Sequence, residues 1–209
     1  MPNEILLDND FLVKISTLDL IDEFLALPYV RTGKLRHLDT LPYMIKKGSL
    51  KNYSAEGLRR AMLWMESFQS VEVPSLSVSD LIPDLPSIDQ GERLLLALVF
   101  KGDEAKIFTG DKRCINALGC LPSDMLISFQ HKVICLEAAI RAIIEHGDFE
   151  SIAEKVHPGL SCDKSLKNVF GNSVTVDRSC VEDGLRSYLE SLSESSGGTF
   201  LLPWEELLL

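Results

Sequence analysis

The sequence predicts an α/β fold, a central parallel sheet flanked by helices with further helices after it. Three observations carry this. Short apolar runs of strand length alternate with segments of helical periodicity as far as Gly147. Three of those runs end at an acidic residue, Asp8 and Glu137 directly and Asp111 after Gly110, as expected where a strand opens into a helix. Beyond Gly147 only helical periodicity remains. The chain therefore divides into an α/β domain over residues 1–147 and a helical C-terminal extension with a tail, 148–209, packed on it.

The run Glu4–Leu7 is too short for a helix and is ended by Asp8-Asn9-Asp10, which predicts a buried first strand. From Phe11 to Leu27 the residues Leu12, Ile15, Leu18, Ile21, Phe24 and Leu25 recur at helical spacing, and Pro28 supplies a stop. Lys34–Leu38 reads as a second strand. Ser54, then Leu58, Ala61, Met62, Met65 and Phe68, describes an amphipathic helix. Val73–Ser87, with three prolines, reads as connection. Asp89 opens a helix burying Leu95, Leu98 and Val99. Ala105–Thr109 is a strand, Asp111–Leu118 a helix, and Lys132–Leu136 a strand running into a helix at Glu137–His146. Helices follow near 149–156, 163–170 and 178–192. Ser191–Gly198 (SLSESSGG) reads as a flexible joint before the tail FLLPWEELLL.

Composition narrows the functional classes. The 209 residues are 45% hydrophobic and 25% charged, as in ordinary globular chains, and carry a net charge of −10. That balance argues against a generic nucleic-acid coat or a membrane-surface binder, while leaving room for a local basic groove. The longest apolar run, Leu94–Phe100, is far short of a membrane span, and MPNEILLDND lacks the basic start of a secretory signal. Five cysteines without a C-x-x-C pair suit a reducing compartment, so a cytoplasmic protein is expected. The four histidines are too scattered for a zinc site. P-loop, dinucleotide and serine-hydrolase signatures are missing.

The acids carry the chemistry. Asp8 (with Asp10), Asp111 and Glu137 each stand at the carboxyl end of an expected strand, and Glu92 stands at a helix start. In a parallel sheet those ends share one edge, where ligands bind. Converging carboxylates repel one another unless a cation lies among them, and hard oxygen ligands suit Mg²⁺ or Mn²⁺. Such a centre supports phosphodiester hydrolysis. The competing explanation is capping: Asp89 and Glu92 have capping-box spacing, and Asp or Glu at any helix start is favoured. Glu137 can also pair with Arg141 one turn on.

ILLDNDFLVKI, IDQGERLLLALVF and AKIFTGDKRCINAL, in that order, resemble the opening strand-plus-Asp, the Gly-Glu helix and the later strand-plus-Asp of PIN-like nuclease domains. The resemblance covers residues 4–140 in outline. It implies an endoribonuclease dependent on Mg²⁺ or Mn²⁺, with Asp8, Glu92 and Asp111 as catalytic metal ligands and RNA favoured over DNA as substrate. Where many relatives carry an acid between the first strand and the Gly-Glu helix, this chain has LRHLDTLPYMIKK, with Asp39 alone. The fourth metal ligand is therefore assigned to Glu137, with Asp10 second and Asp39 last.

Two other readings compete. Asp8-Asn9-Asp10 also fits the D-x-D of haloacid dehalogenase-type phosphatases, although Phe11-Leu12-Val13 follows where that family has a small residue and Thr. A catalytically degenerate PIN-like module of a defence or toxin–antitoxin-like system is the non-enzymatic alternative. Its partner, or a second copy in a homodimer, would dock on Phe200, Leu201, Trp204 and Leu208, unless these pack on the chain's own core. Residues 31–60 hold eight basic and two acidic groups, a net +6 against −16 for the remainder. Lys46, Lys47 and Lys51 from this strip, with Lys112 and Arg113 beside Asp111, are the expected nucleic-acid contacts.

Overall fold

The computed structural model describes residues 3–71, 81–102 and 104–209. Its centre is a five-stranded, all-parallel sheet in the order β3-β2-β1-β4-β5. The strands are β1 (Glu4–Leu7), β2 (Lys34–His37), β3 (Gln69–Ser70), β4 (Lys106–Thr109) and β5 (Val133–Cys135). β1, β4 and β5 are apolar because helices cover both faces of the sheet: Ile5, Leu6, Leu7, Phe108, Val133 and Ile134 are fully buried. The chain leaves β1 for β2 and β3 on one side, then returns to place β4 on the other. The strand order therefore reverses between β1 and β4, and the crevice at their carboxyl ends is the natural ligand site.

The expected helix after β1 is three helices, α1 (Asn9–Thr17), α2 (Ile21–Ala26) and α3 (Pro28–Thr32). One straight helix would turn Leu18 and Leu20 to opposite sides. A break at Asp19, in the left-handed region at φ 60°, buries both completely. α2 ends just before Pro28, which also starts α3, its missing N–H costing nothing in a first turn. Beneath the sheet's carboxyl edge Phe11, Phe24 and Phe108 pack with ring centroids 5.1–5.3 Å apart.

α4 (Leu41–Lys47) and α5 (Ala55–Met65) connect β2 to β3. Ser54 caps α5 by accepting from the Gly57 N–H at 3.0 Å. Phe68 lies beyond its end, edge-on to His37 and Trp64. Most of the expected connection 73–87 falls outside the described residues, and 81–87 is irregular. α6 (Gln90–Lys101) leads to β4, and α7 (Lys112–Leu118) and α8 (Ser123–Phe129) lead to β5. α9 (Leu136–His146) follows β5 without a break.

The extension supplies α10 (Phe149–Val156), a 3-10 helix at His157–Cys162, α11 (Lys164–Phe170) and α12 (Arg178–Ser196). The expected joint at 191–198 is largely the last turn of α12. Ser196 Oγ donates to Leu192 O within the helix, Ser195 Oγ reaches Asn116 Oδ1 of α7, and Gly197 ends the helix in the left-handed region. The tail then runs beside β5, with Leu202 N–H donating to Val133 O and Phe200 O accepting from Val133 N–H. This covers the strand's edge. Phe200, Leu202 and Leu207 are buried in this chain's own core, so Phe200 is not free to anchor a partner. Among the described residues no helix is long and apolar enough to cross a membrane.

Candidate active site

A cleft of about 530 Å³ opens at the β1–β4 crevice. Its walls include Asp8 and Asp10 from the end of β1, Asp89 and Glu92 from the start of α6, and Asp111 from the end of β4. α4 contributes Tyr43, Met44 and Lys47. Parallel pairing explains the convergence: Leu7 lies in register with Phe108, so the residues that follow each strand emerge side by side.

Asp8 is the most buried of the cleft acids. Its N–H donates to Phe108 O at 3.0 Å, and Thr109 Oγ1 donates to its Oδ2 at 3.1 Å. No other hydrogen bond reaches the carboxylate among the described residues. It is 6% exposed. Burial, then the Asp10 and Glu92 carboxylates, push its pKa well above the ordinary range, against the single Thr109 hydroxyl. The second strand-end Asp does not cap α1, since neither acid makes a cap hydrogen bond.

The other acids each have a partner. Glu92 forms the capping box expected from its spacing: Asp89 N–H donates to Oε2 at 2.7 Å and Glu92 N–H donates to Asp89 Oδ1. Burial raises its pKa to about 7. Asp111 caps α7 through the Arg113 N–H at 2.8 Å and holds the Arg113 guanidinium at 2.7 Å. Burial alone would raise its pKa, but the Arg113 contacts bring it below the usual value. Asp10 accepts from the Tyr53 hydroxyl at 2.8 Å and pairs with Lys14 at 2.7 Å.

Glu137 and Lys112 are not where their sequence positions suggested. Glu137 is 1% exposed and pairs with Lys112 Nζ at 2.6 Å, outside the cleft wall. Arg141, expected to orient it, instead pairs with Glu145 and Glu182 and stacks on Trp204. Lys112 donates to Ser165 Oγ at 2.6 Å and lies 3.5 Å from Asp163, so it faces inward and is engaged. Asp163 in turn holds Lys14 at 3.0 Å. A chain of charges thus runs from Asp10 through Lys14, Asp163 and Lys112 to Glu137. Burial works against the charge of both lysines, yet the carboxylates keep their pKa values raised. Gly110 permits this: a Cβ there would stand 2.5 Å from Asp10 Oδ2, and its carbonyl accepts from Lys14 at 3.0 Å. Tyr53 and Asp163 belong to no motif in the sequence, and Lys14 and Thr109 have no assigned role in theirs. Only the carboxylates' need for partners points to them.

Of the expected basic contacts, Lys47 and Arg113 line the cleft, and Lys46 and Lys51 are exposed nearby in sequence. The rest of the strip is divided. Arg36, Arg59 and Arg60 pair with Glu4, Glu56 and Asp19, and Lys34 begins β2 at the opposite sheet edge. Asp39 is exposed and outside the cleft wall.

Comparison with protein-family models, curated proteins and solved structures finds no match for this chain. Among the described residues no group of three or more His, Cys, Asp or Glu side chains is placed so that it could hold a metal ion. The donor chemistry still suits a hard divalent cation. The cleft is walled by carboxylates, and Asp8 Oδ1 has no hydrogen-bond donor. Glu92 Oε1 is likewise uncommitted, while Asp111 is held by an Arg113 side chain that is 81% exposed and easily displaced.

Proposed function

We propose that this chain is a PIN-like, Mg²⁺- or Mn²⁺-dependent nuclease acting on RNA. The observation that carries this is Asp8, a carboxylate held at the strand-reversal crevice with two acids nearby and one neutral hydrogen bond to offset them. Such a group costs stability in the metal-free protein, and a divalent cation is the partner that relieves it. Asp8, Glu92 and Asp111 would hold the ion, with Asp10 behind them fixed by Lys14 and Tyr53. When bound, the ion supplies a Lewis acid for a phosphoryl oxygen and makes water nucleophilic at neutral pH.

The protein's own groups do the remainder. Lys47 and Arg113 orient the phosphates flanking the reacting one. Glu92 keeps Oε2 fixed by the Asp89 N–H, which leaves Oε1 to hold the ion. Water adds to phosphorus, the bond to the departing ribose oxygen breaks, and that oxygen takes up a proton. A non-catalytic domain of the same fold is the second reading, favoured by Arg113 already neutralising Asp111. The test is cleavage of a labelled RNA strand with Mg²⁺ or Mn²⁺. Wild-type protein cuts it, and EDTA or Asp8→Asn abolishes cutting by at least about a hundredfold. Cleavage that ignores both contradicts the proposal, and so does hydrolysis of p-nitrophenyl phosphate without cleavage of RNA.

A further inference from the structure

Asp111 stands in the turn between β4 and α7, and the residues on either side of it are both tied to the helical extension. Gly110, before it, accepts at its carbonyl oxygen from Lys14 Nζ at 3.0 Å. Lys112, after it, reaches Ser165 Oγ at 2.6 Å and Asp163 Oδ1 at 3.5 Å. Lys14 closes the circuit, because its ammonium also lies 2.7 Å from Asp10 Oδ2 and 3.0 Å from Asp163 Oδ2. An ammonium has three hydrogens, and these three acceptors use all of them. One carboxylate of the extension thus faces the cations that hold the turn on both sides of Asp111.

We infer that Asp163 is a positioning residue: through Lys14 and Lys112 it sets where the Asp111 carboxylate stands relative to Asp8, so that the extension completes the site. This rests on the nuclease reading and deepens it. Asp163 is itself fixed, since its Oδ1 accepts from the Ser165 and Leu166 N–H groups at 2.9 and 3.1 Å, and it is 5% exposed. It lines no part of the cleft. Bonds within the turn, from Asp111 N–H to Thr109 Oγ1 and from Arg113 N–H to Asp111 Oδ1, shape the turn but do not anchor it to α1. Without the Asp163 charge, Lys14 has Asp10 as its sole carboxylate and is drawn toward it, which loosens its hold on Gly110. Lys112 likewise keeps only Glu137, which lies outside the cleft wall. Groups that orient a ligating carboxylate govern metal affinity without touching the ion.

The test is the Mn²⁺ affinity of the full chain, read from the paramagnetic resonance signal of the free ion, alongside RNA cleavage kinetics and melting temperature. Asp163→Asn removes the charge but keeps an oxygen to cap α11. It is expected to weaken Mn²⁺ binding and lower kcat by about tenfold each. KM for the strand should stay within about twofold, because Lys47 is untouched. Ser165→Ala leaves every charge in place and should weaken Mn²⁺ binding by a smaller factor. Glu23→Gln controls for stability, since it cuts another ion pair between the extension and the core, Lys155 to Glu23 at 2.6 Å, away from the cleft wall. Its Mn²⁺ affinity should be that of wild type. If Asp163→Asn binds Mn²⁺ as wild type does, or Glu23→Gln loses as much, the positioning role is overturned while the nuclease reading stands. Should Asp163→Asn not fold, wild-type affinity in Ser165→Ala overturns the role. If wild-type protein takes up no Mn²⁺ and cuts no strand, both fall.

Discussion

Asp8 and Glu92 have raised pKa values for the same first reason, burial, and this gives the metal-free protein a definite pH dependence. A carboxyl whose folded pKa is raised adds stability below its unfolded value, near ~4, and that stability is lost as pH rises through the folded value. For Glu92 the window runs up to about pH 7. The melting temperature of EDTA-treated protein should therefore fall from pH 4 toward 7, and Asp8→Asn, which cannot ionise, should flatten the fall and melt higher at neutral pH. An equal slope in wild type and variant contradicts the burial account. Arg113 is the second residue whose role is open to measurement. It holds Asp111 as an exposed cation, so Arg113→Ala should tighten Mg²⁺ binding by up to about fivefold in calorimetry, the worth of an exposed ion pair. The same variant should raise KM for a strand, because a phosphate contact is lost. Unchanged metal affinity would mean that Arg113 and the ion do not compete.

At the scale of elements, the extension is tied to the candidate site through Asp163, whose pairing with Lys14 leaves the two side chains 4% and 10% exposed. Burial would raise the Asp163 pKa, but Lys14 and Lys112 lower it. Asp163→Ala takes one of two carboxylates from each lysine, leaving Lys14 with Asp10 and Lys112 with Glu137, and removes the cap that Asp163 places on α11; it should cost about 3 kcal/mol in urea unfolding, against about 1 kcal/mol for removing the N-cap at Ser54. A loss near the smaller figure would show that solvent reaches the lysines and that the charge chain is loosely coupled. This tie was illegible in the sequence, since Lys14 and Asp163 lie far apart along the chain and Asp163 belongs to no motif. β1, β4 and β5 were legible because strands buried on both faces read as unbroken apolar runs. The two-residue β3, with exposed Gln69 and Ser70, has no pattern to read. A strand-end position also does not say which way a side chain turns. Asp8 and Asp111 open into the cleft, whereas Glu137 turns inward because Lys112 meets it there.

For the molecule as a whole, a net charge of −10 must coexist with the polyanionic substrate proposed for it. The excess of basic groups in residues 31–60 is reduced by pairing at Arg36, Arg59 and Arg60, which leaves Lys46, Lys47 and Lys51 as the exposed charges nearest α4. Replacing those three lysines by Glu should weaken RNA binding and reduce the slope of log K against log salt by about 2, at ~0.7 per phosphate contact on a single strand. An unchanged slope would make the strip an ordinary solvated face. The carboxylate cleft itself is tested most directly by diffraction from crystals soaked in Mn²⁺, with data collected at the manganese edge. The account predicts one strong anomalous peak at a coordination distance of ~2.1 Å from Asp8, with Glu92 or Asp111 in the same shell. Manganese bound only elsewhere, with none at Asp8, would contradict it.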